Sequence, residues 1–378
     1  MIKEGKRPFF DDRGNPVPYG YTQLHSRSHL RKIEDDPKIR AVFGVPKLLL
    51  MAENMFIWNL QREYMNTTIN KSPMLWGFET FRGGWQKLAA RLAEHNISTV
   101  LSADWSEFDR RAQHEVIDDI HDIWRSYFDF DRGYEPSVSD DYDYSQTTTD
   151  PIRIQRLWDW MCHAIKHTPI LAESGNLYQW TFSGIASGFQ QTQLLDSFVN
   201  ATMILTCLSA QGINIESKHF QCLFQGDDSI VTMPEHVNRD VFLDNLASEA
   251  ATRFDAKLSV EKTAISTWFD GVSVLSYTYS GGLATRAPEE LLAHLLYPEY
   301  PRRAPEAAAA CIGIAAAAMG CSKEVYDACK DIYSFFVDQL SIVPEFPKEF
   351  ENNVNSYWIP KLRYFPSFEE TFFQNFVT

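Results

Sequence analysis

Two short apolar runs, Phe220–Gln225 and Ser229–Met233, are joined through Gly226, Asp227 and Asp228. Runs of that length on either side of a Gly-Asp turn are a hairpin signature. Cys222, Leu223, Phe224, Ile230 and Val231 make both arms buried strands. The tip then carries two adjacent carboxylates, which repel each other unless a cation sits between them. A solvated hairpin tip is the plain alternative, since Gly-Asp turns are common for conformational reasons alone.

Around this hairpin the periodicity alternates between helix and strand. Residues 40–65 read as a loop followed by a helix, and Ile97–Asp104 alternates apolar and polar residues as a strand does. Asp109–Tyr127, Arg153–Ala172 and Gln190–Ser209 read as helices, the last one long and buried. The stretch 129–150 is acidic and Ser/Thr-rich and reads as an exposed loop. Val241–Phe254 has Phe242, Leu246 and Ala250 at helical spacing. Strands are expected at Lys257–Ile265 and Val272–Tyr279, and helices at 289–297, 305–319 and 323–340. The result is a mixed α/β (α+β) centre followed by a helical C-terminal region.

The chain has 378 residues, room for two or three domains or one multi-lobed fold. The net charge of −15 argues at first against a nucleic-acid partner. It is unevenly spread, however: residues 1–50 hold ten Lys/Arg against six Asp/Glu, and local potential in a cleft outweighs the total. The six cysteines (162, 207, 222, 311, 321, 329) include no C-x-x-C pair, a poor zinc or disulfide framework that suits a reduced, intracellular protein. The first residues do not read as a signal peptide. The longest apolar run, Ala307–Met319, is Ala-rich and too short to span a bilayer, so no membrane partner is expected. No repeat, P-loop or GxGxxG pattern occurs.

Three further segments carry chemistry. In Asp104-Trp-Ser-Glu-Phe-Asp109 a strand ends in one carboxylate and a second follows five residues later. At a strand end such acids face a cleft and can hold a hard cation, although helix capping by Asp109 explains the pattern as simply. In Ser183-Gly-Ile-Ala-Ser-Gly-Phe-Gln-Gln-Thr192 a Gly-containing loop opens the long helix, on which Thr192, Asp196 and Asn200 share one face. A polar stripe on an apolar helix needs partners, either a ribose or a polar groove of its own domain. Lys32, Lys38, Arg40 and Lys47 cluster around Arg40–Pro46. Cations on an extended segment can neutralise a triphosphate, though such a run is usually a solvated face.

In order and spacing these segments resemble the right-handed polymerases of RNA viruses. The basic segment resembles motif F, DWSEFD motif A, SGFQQT with Asp196 motif B, and GDD motif C. Lys262 sits where motif D carries its lysine, and Ser276–Gly281 resembles motif E. Asp196 stands where many relatives carry Asn, and Ala186 where the family often carries Pro. The wording of KIRAVFGVPKLLLMAENMFIW, DWSEFDRRA, QTQLLDSFVN and FQGDDSIV looks most like partitiviruses, whose genomes are segmented double-stranded RNA.

The resemblance implies a right-hand fold. It places a fingers segment with motif F over 1–96, and a βαββαβ-like palm over 97–283 with a finger insertion at about 129–180. A helical thumb would follow over 284–378. It implies RNA-templated RNA synthesis with two Mg²⁺ ions, Mn²⁺ being able to substitute, on Asp104, Asp227 and Asp228. Lys262 would protonate the leaving pyrophosphate. Lys32, Lys38, Arg40 and Lys47 would bind the triphosphate. Asp109, Ser187, Gly188, Thr192, Asp196 and Asn200 would line the nucleotide site, with Asp109, Thr192 and Asn200 sensing the ribose 2′-OH. Implied partners are an RNA template and nascent strand, NTPs and a viral capsid protein, in the host cytoplasm and inside the virion. Two rivals stay open. A reverse transcriptase shares the palm but normally carries a bulky aromatic at the position of Asp109. A non-catalytic RNA-binding palm would have little use for the three carboxylates, which repel RNA.

Overall fold

The structure, a computed structural model, describes residues 20–29, 33–34, 39–67, 72–76, 78–133, 150–346 and 364–376. Strands β1 (Thr22–Ser28) and β2 (Ile39–Gly44) lead into helix α1 (Lys47–Asn66), and α2 (Gly84–Ala93) precedes β3 (Thr99–Ser102). Next come β4 (Trp105–Ser106), α3 (Phe108–Arg111), α4 (His114–Arg125) and α5 (Pro151–His167). They are followed by β5 (Ile170–Ala172), β6 (Leu177–Tyr178), α6 (Thr192–Ala210), β7 (Gln221–Gln225) and β8 (Asp228–Met233). Helix α7 (Arg239–Phe254), β9 (Lys257–Leu258), β10 (Ala264–Ser266), β11 (Ser273–Val274), β12 (Tyr277–Ser280) and β13 (Leu283–Thr285) continue the chain. Helices α8 (Pro288–Leu296), α9 (Ala304–Ala317), α10 (Lys323–Ser334) and α11 (Phe368–Phe373) end it. Packing divides the chain into two compact units, Met1–Gly77 with Leu101–Thr263, and Phe78–Val100 with Ala264–Thr378.

In the first unit the expected hairpin forms between β7 and β8, with Gln225 opposite Asp228. The two-residue loop is therefore Gly226-Asp227. Gly226 has φ +62° while Asp227 is not left-handed, the demand of a II′ turn on its first central residue. Strands β3, β8 and β7 lie side by side in that order. Leu101, Leu223, Phe224, Val231 and Met233 are wholly buried. Helix α6 packs on β7, β8, α4 and α7, burying Leu194, Leu195, Ile204, Cys207 and Leu208. Each such Leu or Ile contributes roughly 1.5–3 kcal/mol. A second sheet in this unit has the order β2-β1-β5-β6, with β1 antiparallel to β2 and parallel to β5.

Three elements of this unit differ from the periodicity. The helix expected over Arg153–Ala172 stops at His167, because Thr168 precedes Pro169 and is held extended (ψ 131°); Ile170–Ala172 then joins β1 as a strand. The helix expected over Asp109–Tyr127 breaks at Ala112-Gln113. There the Gly184 N–H donates to Ala112 O (2.8 Å), and Gln113 forms a bridge with Ser183, so tertiary pairing overrides helix propensity. The strand expected over Lys257–Ile265 is two short strands around a turn, closed by Lys262 N–H (3.1 Å) and Thr263 N–H (2.9 Å) donating to Ser259 O. Of the acidic stretch, Phe130–Arg132 is a short 3₁₀ turn, and 134–149 lie outside the described residues.

The second unit contains the antiparallel sheet β11-β12-β13. The single strand expected over Val272–Tyr279 is split by Leu275 and Ser276, both left-handed (φ 52° and 66°), as a two-residue I′ turn requires. Helices α8, α9 and α10 pack around Leu291, Cys311, Ala315, Val325, Tyr326 and Cys329. The helix expected over 323–340 finishes in a π turn, Phe335–Gln339. Among the described residues no helix is long and apolar enough to cross a membrane.

Candidate active site

Every site residue that the structure describes lies in the first unit. Asp104 follows β3 and is held by its backbone: its N–H donates to Thr263 Oγ1 (3.2 Å) and its carbonyl accepts from Ser259 N–H (2.7 Å). β4 then pairs with β9, Trp105 opposite Leu258. Glu107 is left-handed at φ 58°, an uncommon conformation for a side chain of that size. It reverses the chain so that Asp109 falls in the first turn of α3. No side chain caps that helix, so Asp109 is not a capping residue. Its carboxyl reaches solvent yet is packed about by protein. Burial and the charge of Asp227 push it up to about 6, with Arg40 opposing. Asp109, Asp227 and Arg40 are thus electrostatic neighbours drawn from three separate segments.

Asn200 joins two of those segments. It is fully buried. Its amide N–H₂ donates to the carbonyls of Gly226 (3.0 Å), Asp227 (2.9 Å) and Asp228 (3.2 Å), while Oδ1 accepts from Trp105 Nε1–H (2.9 Å). Ser197 Oγ accepts from Gly226 N–H (2.8 Å). One side chain therefore ties the Asp104 strand end to the acidic hairpin tip. Both ends of its amide are used inside the fold, so Asn200 has a scaffold role beside the ribose contact expected of it.

The polar stripe of α6 resolves in the same way. Thr192 Oγ1 donates to Ala186 O (3.1 Å), closing the loop that precedes the helix. Asp196 is different. It is buried and its Oδ1 has no hydrogen-bond partner. Burial, then Asp109 and Asp227, hold its carboxyl well above the usual range. Of the three stripe residues, Asp196 alone has a buried side-chain atom with no hydrogen-bond partner. Ser187 is exposed. Gly188 is pressed onto β2, where a Cβ would stand 2.1 Å from Phe43 O, so only glycine fits. The loop is also fastened to motif A through Ile185 N–H to Asp109 O (2.8 Å) and Ser183 Oγ–H to Arg110 O (3.0 Å).

Arg40 lies exposed on β2, directly across from Arg27 on β1. Like charges directly opposite one another repel. Arg27 was not singled out by the sequence; the strand TQLHSRS that pairs it with Arg40 shows only weak alternation. Lys47 is exposed at the first position of α1. Lys32 and Lys38 lie outside the described residues. Lys262 is in the Ser259–Thr263 turn, not on a strand, and its Nζ stands 3.9 Å from Asp104 Oδ1.

Asp104, Asp227 and Asp228 offer only carboxylate oxygens, the donor set that hard divalent cations take. Their side chains are not gathered, however: no three Asp, Glu, His or Cys side chains among the described residues are placed to share one ion. Like charges spread apart, and Asp104 turns toward Lys262.

The viral RNA-dependent RNA polymerase family model matches residues 17–339. The chain belongs to that family. It is 33% identical over 325 residues to the RNA-directed RNA polymerase of White clover cryptic virus 1 (isolate Boccardo/2004), covering 83% of this chain and 52% of the relative. It is 25% identical over 346 residues to that of Atkinsonella hypoxylon virus (isolate 2H), covering 85% and 51%. This family member thus spans about half the length of those curated relatives, whose names agree with the partitivirus-like wording of its motifs. Solved structures share its fold. The insertion-loop deletion mutant of a human picorbirnavirus RNA-dependent RNA polymerase aligns with TM-score 0.63 at 12% identity, over 91% of this chain and 64% of that one. The Sicinivirus 3Dpol RNA-dependent RNA polymerase aligns with TM-score 0.63 at 14% identity, over 94% and 74%. The right-hand polymerase fold expected from the motifs is therefore the fold of this chain.

Proposed function

We propose that this chain carries the nucleotidyl-transfer centre of RNA-templated RNA synthesis, adding NTPs to an RNA 3′-OH in replication and transcription of a viral genome. The observation that carries the reading is Asn200, which fixes the Asp104 strand end and the Asp227-Asp228 turn to one another. A scaffold that binds two acidic segments together at the cost of their mutual repulsion serves a cation-dependent reaction better than a solvated loop. Asp104, Asp227 and Asp228 would hold two Mg²⁺ ions, which when bound activate the 3′-OH and stabilise the departing pyrophosphate.

The chain's own side chains supply the rest. Arg40, across from Arg27, offers a fork of donors to the triphosphate. Asp109 and Asp196 take the ribose hydroxyls, while Asn200 and Thr192, bonded within the fold, hold the shape of the site. Lys262 stands beside Asp104, where it can pass a proton to the leaving group. The assignment of 1–96, 97–283 and 284–378 as fingers, palm and thumb rests on kinship. So do RNA, NTPs and a capsid protein as partners, and a place inside the virion in the host cytoplasm.

Primer extension on RNA and DNA templates, with NTPs or dNTPs and Mg²⁺, tests the reading. Extension with NTPs on RNA is expected. Extension with dNTPs in preference would favour a reverse transcriptase, and RNA binding without extension a non-catalytic palm.

A further inference from the structure

Helix α1 buries Leu49, Ala52, Phe56, Ile57 and Leu60 along one face, and in the middle of that apolar stripe stands Glu53. Its side chain is wholly buried. A carboxylate in such a place is costly unless it is hydrogen-bonded. Glu53 Oε2 accepts from Gln190 N–H (3.0 Å) and Oε1 from Gln191 N–H (2.9 Å). Those two residues lead directly into α6, which has no side-chain cap of its own. The first N–H groups of a helix lack intrahelical partners and carry positive potential. Glu53 binds the two N–H groups just ahead of those, doing from another helix what the third residue of a capping box does for the N-cap N–H.

The anchoring extends to both sides. Gln61 Nε2 donates to Gln190 O (2.7 Å), and the buried Gln191 Oε1 meets His121 Nε2 on α4 (2.7 Å). Burial raises the Glu53 pKa, and the bonds from Gln191 and Gln190 oppose it. Upstream of the anchor there is no slack. Gly188 is already against Phe43 O, and Thr192 reaches back to Ala186. Downstream, Asp196 lies one turn into the helix. Helix α1 itself begins just after β2, the strand of Arg40.

We propose that Glu53 is a positioning residue for the nucleotide site: its carboxylate fixes the entry to α6, and so sets Gly188 against the Arg40 strand and Asp196 beside Asp109 and Asp227. The inference rests on the polymerase reading above. In a carboxamide one of the two acceptors becomes a donor facing a backbone N–H, so Glu53→Gln keeps the shape and breaks one bond.

Two measurements on the same chain test it. Amide hydrogen exchange should be accelerated at Gln190 and Gln191 in Glu53→Gln, with the middle of α6 unchanged. In single-nucleotide incorporation the apparent KM for NTP should rise roughly tenfold, about 1.4 kcal/mol, with kcat little altered and the NTP-over-dNTP preference narrowed. A fall in kcat with KM and sugar preference unchanged would mean a purely structural role and overturn the proposal, as would unchanged protection at Gln190 and Gln191. If Glu53→Gln does not fold, Gln61→Ala removes only the bond to Gln190 O; a smaller KM rise supports the inference and an unchanged KM overturns it. A wild-type chain that incorporates nothing overturns the polymerase reading and this role with it, while the exchange data separately decide the anchor.

Discussion

Asn200→Ala is the perturbation that most sharply separates a scaffold role from a substrate role. The substitution orphans the Trp105 indole N–H and leaves the carbonyls of Gly226, Asp227 and Asp228 without their shared donor. Trp105 and Gly226 are buried, whereas Asp227 is exposed and its carbonyl can hydrate. Two buried groups therefore lose partners, at about 1–3 kcal/mol each, and the lost side chain leaves a small void. The expected destabilisation is about 3–5 kcal/mol, or a melting temperature lower by roughly 6–20 °C at about 2–4 °C per kcal/mol for a unit of this size. Asn200→Asp should be no better, because it keeps the acceptor for Trp105 but points an oxygen at three carbonyls. Circular dichroism melts with a urea series on both variants measure this. A melting point within about 2 °C of wild type, together with a changed NTP-over-dNTP preference, would refute the scaffold role and return Asn200 to the sugar.

Three further outcomes are expected. The Asp109 carboxyl titrates at about 6 in the fold against an ordinary 3.8, so its stabilising contribution is present below the lower value and lost as pH rises through the higher one. Asp109→Asn should therefore raise the melting temperature at about pH 8 but not at about pH 4; equal effects at both would mean a solvent-like carboxyl. Arg40→Lys keeps the charge but not the planar fork, and should raise the apparent KM for NTP; kinetics indifferent to both Arg40→Lys and Arg40→Ala would remove Arg40 from the site. Lys262→Leu should slow single-turnover incorporation by roughly ten- to a thousandfold, with Lys262→His restoring part of the rate and shifting its pH dependence toward the imidazole pKa. An unaltered rate in the Leu variant would leave Lys262 a surface residue.

The hairpin was legible because Gly226 and two apolar arms are local signals, and the register between Gln225 and Asp228 follows from the turn. Asp104 and Asp109 were legible as a strand end followed by a helix, although the left-handed Glu107 that aims Asp109 has no sequence signature. Periodicity put Thr192, Asp196 and Asn200 on one face but did not say which were already satisfied. That depends on Trp105 and on carbonyls 26–28 residues away. The same limit hid Glu53, whose partners Gln190 and Gln191 lie 137 and 138 residues on. The alternation of Lys257–Ile265 predicts a strand under Lys262. The Lys262 and Thr263 N–H bonds to Ser259 O close it into a turn instead.

Single-nucleotide incorporation by wild type and Asp227→Ala, on a primed RNA template with Mg²⁺, tests the central claim most directly. Wild type is expected to add the complementary NTP. Asp227→Ala, folded by circular dichroism because Asp227 sits at an exposed turn, is expected to add none above background. Incorporation by Asp227→Ala at the wild-type rate would contradict the assignment of the acidic hairpin as the reaction centre.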